Sequence, residues 1–396
     1  MAKIRYYCEL TFAVLNYRKS IAVNTRFLIK NKLEGIGLFT YESLKHITQT
    51  HPDIEFHFLF DRPFDPEFIF GENVKPVVLF PQARHPFLWY WWFEISVKNW
   101  LKKNKPDLFL STDGYCCLGT DVPQVMVIHD LAYEHFSDHV YGLATRYYRY
   151  FMPRYAKKAS RIATVSEFSK SDIITIYHIA PAKIDVVYNG AKEVYKPVSD
   201  AIKQQIKATY TNGSNYFVYV GSIHPRKNVK NLLLAFEQFK TETKSDFKLL
   251  IVGRKAWDFE EVDATHNQMR FNEDVKFLGH RHPADLANIV ASAYAMVYVS
   301  LFEGFGIPII EAMSCEVPVI TSNTTSMPEA AGDAALLVNP LSIEEIAGAM
   351  TKLALDNLLR DDLIAKGKVQ IKNFSWQLTG DKLWKCCEVV LKENSY

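Results

Sequence analysis

The sequence predicts an α/β protein with two parallel sheets that are covered by helices on both faces. Short apolar runs of strand length alternate with amphipathic stretches of helix length along nearly all of the 396 residues. Such alternation is typical of strand–helix–strand units with parallel strands. It occurs in two blocks of similar size, and a chain this long should form more than one domain. We therefore predict two Rossmann-like domains that face each other across a cleft.

The first block follows residues 1–18, which we interpret as an N-terminal extension. The apolar stretch 8–17 within it is too short for a signal peptide and carries Glu9. Strands are predicted from buried apolar runs and from alternating apolar and polar residues. These strands are 20–26, 53–60, 76–80, 107–111, 124–129, 161–165 and 183–188. Helices are predicted at 38–48 and 141–158, and Ser166 should cap a third helix.

The second block repeats the alternation from residue 216 onwards. Its predicted strands are 216–220, 247–252, 275–278, 296–301 and 317–322. Its predicted helices are 228–241, 283–293, 307–315, 342–355, 359–372 and a last one from 376 to about 392. Between the blocks, Pro197, Asn212 and Gly213 interrupt the pattern. We therefore predict a linker at 196–214 between a first domain at 19–195 and a second at 215–375.

The charge balance and the cysteines limit the possible classes of function. The chain carries 46 basic and 44 acidic residues, a net charge of +2, which gives no general case for binding nucleic acid. Its six cysteines form no Cys-x-x-Cys pair, so reduced thiols in a cytoplasmic protein are the simplest interpretation. No apolar run approaches the roughly 18 residues of a membrane-spanning helix.

The most informative motif is an acidic, glycine-containing loop between a predicted strand and a predicted helix. It runs from Glu303 to Glu311 with the sequence EGFGIPIIE. The start of the helix favours an anion, and Gly304 and Gly306 would let a phosphate approach the main chain closely. The two carboxylates cannot bind that phosphate, so we expect them to accept hydrogen bonds from hydroxyls. A nucleoside diphosphate sugar supplies both kinds of group.

A second motif, Gly221–Asn228, also follows a predicted strand and begins a helix. Its Arg226 and Lys227 could bind a diphosphate and neutralise the charge of the leaving group. The alternative for this pair is a solvated basic turn. Gly253 and Gly279 end strands at the same sheet edge, where the segment Gly279–His282, including His280, could contact a base through main-chain groups. For these two glycines, ordinary turn geometry is the alternative.

Two features of the first block are predicted to reach the same cleft. Gly35-Ile-Gly37 is only part of a dinucleotide fingerprint, because Thr40 occupies the third glycine position. We expect this loop, including Gly37, to contact phosphate or sugar. His129 ends a predicted buried strand and could hydrogen-bond sugar hydroxyls, with Asp130 orienting it. The alternative for a lone histidine is a structural role.

Aromatic and basic residues are concentrated in two further segments of the first block. Residues 87–105 combine seven apolar or aromatic positions with a lysine-rich end, and residues 146–161 carry six basic residues among Tyr and Phe. Either segment could contact a membrane surface or an acceptor lipid. For the first segment we favour a large buried helix, and for the second a solvated helix face is an equal alternative.

No metal ion is expected to bind the diphosphate. The chain contains no Asp-x-Asp pair and no cluster of His, Cys and Asp with metal-ligand spacing. Protein cations and helix ends would have to stabilise the diphosphate instead.

Together these residues resemble the retaining GT-B glycosyltransferases of glycosyltransferase family 4. The likeness lies in the spacing of Glu303 and Glu311, in Gly221 with Arg226–Asn228, and in Gly35–Gly37 and His129-Asp130. The segments 164–169, 187–190 and 332–337 are also similar to family segments. The resemblance covers about residues 20–392 and is more specific in the C-terminal half. At Leu38 the chain departs from related sequences, which often carry Arg or an aromatic residue.

The resemblance implies roles for individual residues. Arg226 and Lys227 would bind the diphosphate, Glu311 the ribose hydroxyls and Glu303 the hydroxyls of the donor sugar. His129 would contact the sugar near the reaction centre, which completes a catalytic set of Glu303, His129, Arg226 and Lys227. The expected donor-binding residues are Gly37, Gly221, Arg226, Lys227, Gly253, Gly279, His280, Gly304, Phe305, Gly306, Ile307 and Glu311. The last helix, 376–394, would pack back onto the first domain.

The resemblance also implies a reaction. A hexose would pass, with retention of anomeric configuration, from a nucleotide-diphosphate sugar to a glycan or lipid-linked glycan during cell-surface polysaccharide synthesis. GDP-mannose is the donor we favour, and a UDP-hexose is the alternative. A nucleotide-sugar epimerase, a non-catalytic nucleotide-sugar-binding protein and an NAD-dependent enzyme are the rival classes. No cofactor is expected, and the protein would act in the cytoplasm, with peripheral contact to the inner membrane surface left open.

Overall fold

The structure, a computed structural model, describes residues 18–136, 142–255 and 260–394. In these ranges the chain forms one seven-stranded and one six-stranded sheet, and every strand pairing in both sheets is parallel. This confirms the predicted α/β class and the two Rossmann-like units. Residues 1–17, which make up most of the predicted extension, lie outside the described residues, and so does residue 141 at the start of a predicted helix.

The N-terminal sheet has the strand order β3-β2-β1-β4-β5-β6-β7. Its strands are β1 (Ser20–Asn24), β2 (Glu55–Phe60), β3 (Val74–Val78), β4 (Leu108–Ser111), β5 (Gln124–Ile128), β6 (Arg161–Thr164) and β7 (Ile184–Val186). β4 and β5 are buried along their whole length, as expected for parallel strands that are covered on both faces.

The N-terminal helices connect these strands as crossovers. They are α1 (Ile36–Thr50), α2 (Pro86–Trp91), α3 (Lys98–Asn104), α4 (Ala132–His135), α5 (Gly142–Lys158) and α6 (Glu167–Tyr177). Ser166 caps α6, because its side chain accepts a hydrogen bond from the Ser169 amide. A π-helical turn, Trp92–Val97, joins α2 to α3. The buried helix that we predicted here is buried on one side only, since Phe87 and Trp91 are exposed.

The C-terminal sheet has the strand order β10-β9-β8-β11-β12-β13. Its strands are β8 (Tyr216–Val220), β9 (Lys248–Val252), β10 (Val275–Gly279), β11 (Ala295–Tyr298), β12 (Val319–Ser322) and β13 (Ala335–Val338). The remaining helices are α7 (Asp200–Thr211), α8 (Val229–Thr243), α9 (Glu260–Gln268), α10 (Pro283–Ala291), α11 (Ile307–Ser314), α12 (Met327–Ala331), α13 (Ile343–Leu355), α14 (Asn357–Gln370) and α15 (Trp376–Glu393).

Two segments connect the units in ways that position the cleft. The segment 196–214, which we predicted as a linker, is not irregular throughout. It contains α7, and this helix packs against α10. At the other end of the chain, α15 lies against α1 and strands of the N-terminal sheet. The Thr379 hydroxyl donates to the Tyr188 carbonyl over 2.6 Å, and His46 Nε2 lies 2.7 Å from Asp381 Oδ1.

Candidate active site

A cleft of about 760 Å³ lies between the two sheets, at the carboxyl ends of their strands. Its wall from the N-terminal unit includes Arg26, Gly35, Asp113, Tyr115, His129 and Tyr148. Its wall from the C-terminal unit includes Gly221, Arg226, Lys227, Glu303, Gly304, Phe305, Gly306, Ile307 and Glu311. The structure therefore brings all four predicted catalytic residues and most of the predicted donor-binding residues to one cavity.

The loop after β8 is held in a fixed turn that directs Arg226 and Lys227 into the cleft. A short 3-10 turn spans Pro225–Lys227, and the His224 side chain accepts a hydrogen bond from the Arg226 amide. Asn228 has a left-handed backbone with φ of 59°, a conformation that asparagine tolerates well. Its side-chain amide donates to the carbonyls of Val299 (2.9 Å) and Pro340 (2.6 Å).

Glu303 lies between both cations in the structure. Its Oε1 is 2.6 Å from Lys227 Nζ, and its Oε2 is 3.4 Å from an Arg226 guanidinium nitrogen. The Tyr298 hydroxyl donates to the same Oε1 over 2.8 Å. Burial by itself would raise the pKa of Glu303, but the charges of Lys227 and then Arg226 outweigh it and lower the pKa to about 2. Glu303 is therefore an ionised hydrogen-bond acceptor at neutral pH.

The start of α11 faces the cleft, with all residues from Glu303 to Pro308 in its wall. Gly306 is the N-cap and has φ of 95°, a left-handed value that favours glycine. Pro308 has no amide hydrogen, which suits the first turn of a helix. The ring of Phe305 packs against the ring of Phe374, and the two ring centroids are 5.3 Å apart. This end of α11 is thus suited to an anion, as the sequence predicts.

Gly304 lines the cleft and also lies at a close contact between the two units. A Cβ atom at this position would lie 2.5 Å from the His129 carbonyl oxygen, so a side chain would force the two units apart. The Gly304 carbonyl accepts hydrogen bonds from the hydroxyls of Ser166 (2.7 Å) and Ser169 (3.3 Å). Gly304 therefore permits close contact between the N- and C-terminal units.

Glu311 is buried one turn into α11 and has no ion pair as close as that of Glu303. Burial raises its pKa to about 7, and the charge of Lys192 and a hydrogen bond from Tyr195 lower it only in part. Glu311 and Lys192 both line the cleft. A carboxyl group in this state can accept or donate a hydrogen bond near neutral pH, as contact with ribose hydroxyls requires.

His129 lies where it was predicted, at the end of β5 and in the cleft wall. Its Nε2 is 2.8 Å from the Thr112 carbonyl, which can only accept, so Nε2 carries the proton and Nδ1 is an acceptor. Burial lowers the pKa of His129 and favours the neutral ring. The Thr112 carbonyl orients the His129 ring, and Asp130 Oδ1 accepts from the Ala132 amide at the start of α4, so the orienting role of Asp130 stays a prediction.

Four predicted donor-binding residues do not line this cleft: Gly37, Gly253, Gly279 and His280. A Cβ atom at Gly253 would lie 1.9 Å from the Gly221 carbonyl oxygen, so Gly253 is required for packing behind the cleft wall. The Gly253 amide also donates to the Gly279 carbonyl, which joins the ends of β9 and β10. In the first unit, Gly35 lines the cleft while the neighbouring Gly37 is buried against the Phe27 carbonyl.

The N-terminal wall contains an ion pair that was not predicted from the sequence. Arg26 and Asp113 form a buried pair, and the Arg26 guanidinium lies 4.2 Å from the centre of the Tyr115 ring. Asp113 also accepts from the Asn24 side-chain amide over 2.7 Å. Arg26 ends a predicted strand and Asp113 follows another by two positions, which is the signal that could have identified them.

Neither a metal-ligand cluster nor a membrane-spanning helix occurs among the described residues. Within residues 18–136, 142–255 and 260–394, no group of three or more His, Cys, Asp or Glu side chains could bind a metal ion. In the same ranges, no helix has both the length and the apolar character needed to cross a bilayer.

Comparison with known proteins agrees with this architecture. The model of glycosyltransferase family 4 matches residues 35–192, and that of the glycosyl transferases group 1 matches residues 201–370. Sucrose-phosphate synthase from Thermosynechococcus elongatus has the same fold, with a TM-score of 0.78 over 95% of this chain and 100% of that structure. Its sequence identity is only 16%, so the likeness extends to the fold alone.

Two mannosyltransferases are similar in sequence. The chain is 34% identical over 220 residues to the O-antigen chain mannosyltransferase B of Escherichia coli, a match of 55% of this chain and 58% of the relative. It is 29% identical over 258 residues to the O-antigen chain mannosyltransferase RfbU of Salmonella typhimurium, a match of 64% of this chain and 67% of the relative. Since the two family models together cover both Rossmann-like units, the chain belongs to the GT-B glycosyltransferases of the family 4 type.

Proposed function

We propose that the protein is a hexosyltransferase that uses a nucleotide-diphosphate sugar, with GDP-mannose as the favoured donor. The observation that carries the proposal is the grouping of Arg226, Lys227 and Glu303 beside the start of α11 in one cleft. Two cations and a helix N-terminus suit a diphosphate, and an ionised carboxylate suits sugar hydroxyls. The names of the two relatives support mannose as the transferred sugar.

Each side chain then has a role in binding the donor. Arg226 and Lys227 bind the diphosphate and stabilise the charge that develops on it as the glycosidic bond breaks. Glu303 accepts hydrogen bonds from the hydroxyls of the donor sugar, and Glu311 contacts the ribose. His129, with its proton on Nε2, offers Nδ1 to a sugar hydroxyl near the reaction centre.

We further propose transfer with retention of configuration on one face of the sugar. The bond from the anomeric carbon to the diphosphate oxygen breaks, and the acceptor oxygen bonds to the same carbon from the same side. The acceptor hydroxyl loses its proton to the departing phosphate oxygen, so the protein needs no separate base. Glu303, the carboxylate that pairs with both cations, is already committed to them and is poorly suited as a nucleophile.

The acceptor in this proposal is a glycan or a lipid-linked glycan of a cell-surface polysaccharide. The O-antigen relatives support this class. The five cysteines of the described residues, Cys116, Cys117, Cys315, Cys386 and Cys387, are unpaired and buried, which supports action in a reducing cytoplasm. Diphosphate binding without a metal ion is part of the same proposal.

The proposal is tested first by a thermal-shift screen of the purified chain with GDP, UDP, ADP and their common sugar conjugates, without added metal. A ligand that binds only the folded state raises the melting temperature by mass action. We expect GDP and GDP-mannose to give the largest shift. A larger shift with UDP conjugates would assign a UDP-hexose donor, and no shift with any of them would contradict the donor site.

Transfer is then measured with the selected donor, with and without EDTA. We expect product formation from donor plus acceptor and an unchanged rate in EDTA. Activity that EDTA abolishes and magnesium restores would contradict metal-free binding. Conversion of the donor without any acceptor would favour an epimerase instead.

A further inference from the structure

An exposed aromatic and basic surface lies on the N-terminal unit, outside the cleft. We define it by the outer sides of α2, α3 and α5. Its exposed apolar members are Phe87, Tyr90, Trp91, Leu143 and Tyr150, and Tyr90 contacts Phe151 across the two helices with ring centres 5.9 Å apart. Phe87 is 71% exposed, Trp91 53% and Tyr150 54%. Several large apolar side chains exposed together mark an interaction site.

The charges around these side chains have one sign. The helix from Pro86 to Asn104 carries Lys98, Lys102 and Lys103, and α5 carries Arg146, Arg149, Arg154, Lys157 and Lys158. Their only acidic residue, Glu94, is partly buried near Lys98 and Lys158 and accepts hydrogen bonds from the amides of Leu118 (2.8 Å) and Gly119 (3.1 Å). Apart from Glu94, the charged side chains of these helices are all cations, although Arg149 pairs with Glu134 of α4.

The same helices form part of the cleft wall on their inner sides. The Trp89 ring stacks on Tyr148 with centres 5.5 Å apart, and Tyr148 lines the cleft. Trp89 is therefore in contact with the wall, while the next two residues, Tyr90 and Trp91, are exposed outside. The surface is thus separated from the cleft by the thickness of one helix.

We propose that this surface docks the protein on an anionic phospholipid bilayer. Lysine and arginine side chains would contact lipid phosphates, while the tryptophan, tyrosine and phenylalanine rings enter the interface between headgroups and acyl chains. Charge complementarity favours this occupant over another protein, since basic side chains border the aromatic residues along both helices. The inference rests on the proposed function only in that docking would bring a lipid-linked acceptor close to the cleft.

Vesicle sedimentation of the full chain tests this docking. Vesicles of phosphatidylcholine with phosphatidylglycerol are compared with vesicles of phosphatidylcholine alone, at low and high salt. We expect binding to the anionic vesicles that weakens with salt. The double variant Phe87→Ser with Trp91→Ser should bind them roughly tenfold more weakly, because two large rings no longer enter the interface.

The matched control is the double variant Leu355→Ser with Leu358→Ser on the C-terminal unit. These two side chains are 76% and 83% exposed, so the change in polarity is similar but lies away from the proposed surface. The control should bind vesicles like the wild type. Equal binding by all three proteins, or no binding to anionic vesicles, would overturn the proposal. So would a dimeric wild type that the Phe87/Trp91 variant converts to a monomer, since a second copy would then cover the surface.

Docking and donor binding are measured separately. The Phe87/Trp91 variant should retain the thermal shift with the donor and the rate of transfer to a water-soluble acceptor, because neither residue lines the cleft. Vesicle binding by a chain that shows no donor shift would refute the proposed function and leave the docking surface intact.

Discussion

At the residue scale, the central feature is the contact of Glu303 with both cations that we assign to the donor diphosphate. The carboxylate is buried, and its neighbours Lys227 and Arg226 are mostly shielded from water. An arriving diphosphate must share these cations with Glu303 or displace it from them. Removing one member of a buried group of charges leaves the others uncompensated, so single substitutions here should have large effects.

Replacing Lys227 with alanine should weaken GDP binding roughly tenfold to a hundredfold, the cost of losing one hydrogen bond between charged groups. Glu303 would then keep a less compensated charge that also repels the diphosphate. Isothermal titration calorimetry measures the change. Lys230→Ala is the control, because Lys230 is more exposed and pairs with Glu261 at the surface. Unchanged affinity in Lys227→Ala would remove this residue from the donor site.

The substitution Glu303→Gln should lower the rate of transfer by on the order of a hundredfold or more, since the sugar loses a charged acceptor in the transition state. GDP affinity should not fall, because both cations are then free to contact the diphosphate. The two quantities are measured by steady-state turnover and calorimetry. Glu316→Gln, at an exposed ion pair with Lys368, is the control. A wild-type rate in Glu303→Gln would contradict the assigned role.

Glu311 should make the stability of the fold depend on pH. Burial raises its pKa from 4.5 to about 7, so the folded protein binds one more proton than the unfolded chain between these values. The free energy of unfolding therefore falls as pH rises through that window. The full destabilisation from the buried, ionised Glu311 is present above about pH 7. Glu311→Gln should gain more in melting temperature at about pH 8 than at about pH 5. Equal gains at both pH values would exclude a raised pKa.

At the element scale, the positions of helices and strands could be predicted from the sequence. The spacing of apolar residues and the residue types that begin or end an element are both local features of the chain. β8 was predicted with the bounds that the structure has, and the start of α11 also agrees. Helix α7 was missed because its own end signals were taken for a linker. Ser199 caps this helix at its start, and Asn212 ends it in a left-handed conformation with φ of 52°.

The loop before α11 depends on Gly304 at the contact between units. Gly304→Ala should lower both activity and melting temperature, because the new methyl group would overlap the His129 carbonyl. Gly348→Ala is the control, since its Cβ would meet no atom within 4 Å inside α13. That control should gain about 0.5–1 kcal/mol in the free energy of unfolding. Thermal unfolding and turnover together check the pair, and a fully active, stable Gly304→Ala would show that the loop can move aside.

At the scale of the whole molecule, hydrogen bonds between the two units form beside the cleft. Glu329 of α12 accepts hydrogen bonds from the Glu167 amide (2.8 Å) at the start of α6 and from the Tyr188 hydroxyl (2.6 Å). A carboxylate of one unit thus caps a helix of the other, where the helix dipole favours negative charge. This contact holds the start of α6 against α12 beside the cleft.

Glu329→Ala should loosen the contact between the units without unfolding either one. We expect a higher KM for the donor, with a smaller change in kcat, and a larger radius of gyration in small-angle X-ray scattering. Asp333→Ala is the control, because Asp333 is exposed and only four residues away. An unchanged KM and radius would show that other contacts maintain the cleft by themselves.

The sequence by itself determined the α/β class, the two sheets and the local motifs at their strand ends. These features depend on residues close together in the chain, such as the buried run of β5 or the step from Arg226 to Lys227. Because parallel strands end at one edge of each sheet, their positions also predicted which loops would face the cleft.

Only the tertiary structure decided which of these groups meet. Lys227 and Glu303 are 76 residues apart and Arg26 and Asp113 are 87 apart, so no local pattern encodes either pair. The contact of Gly304 with His129 and the exposure of Trp91 likewise depend on how whole elements pack. The physical reason is that periodicity and capping act over a few residues, whereas ion pairing and burial are fixed by the positions of the two sheets.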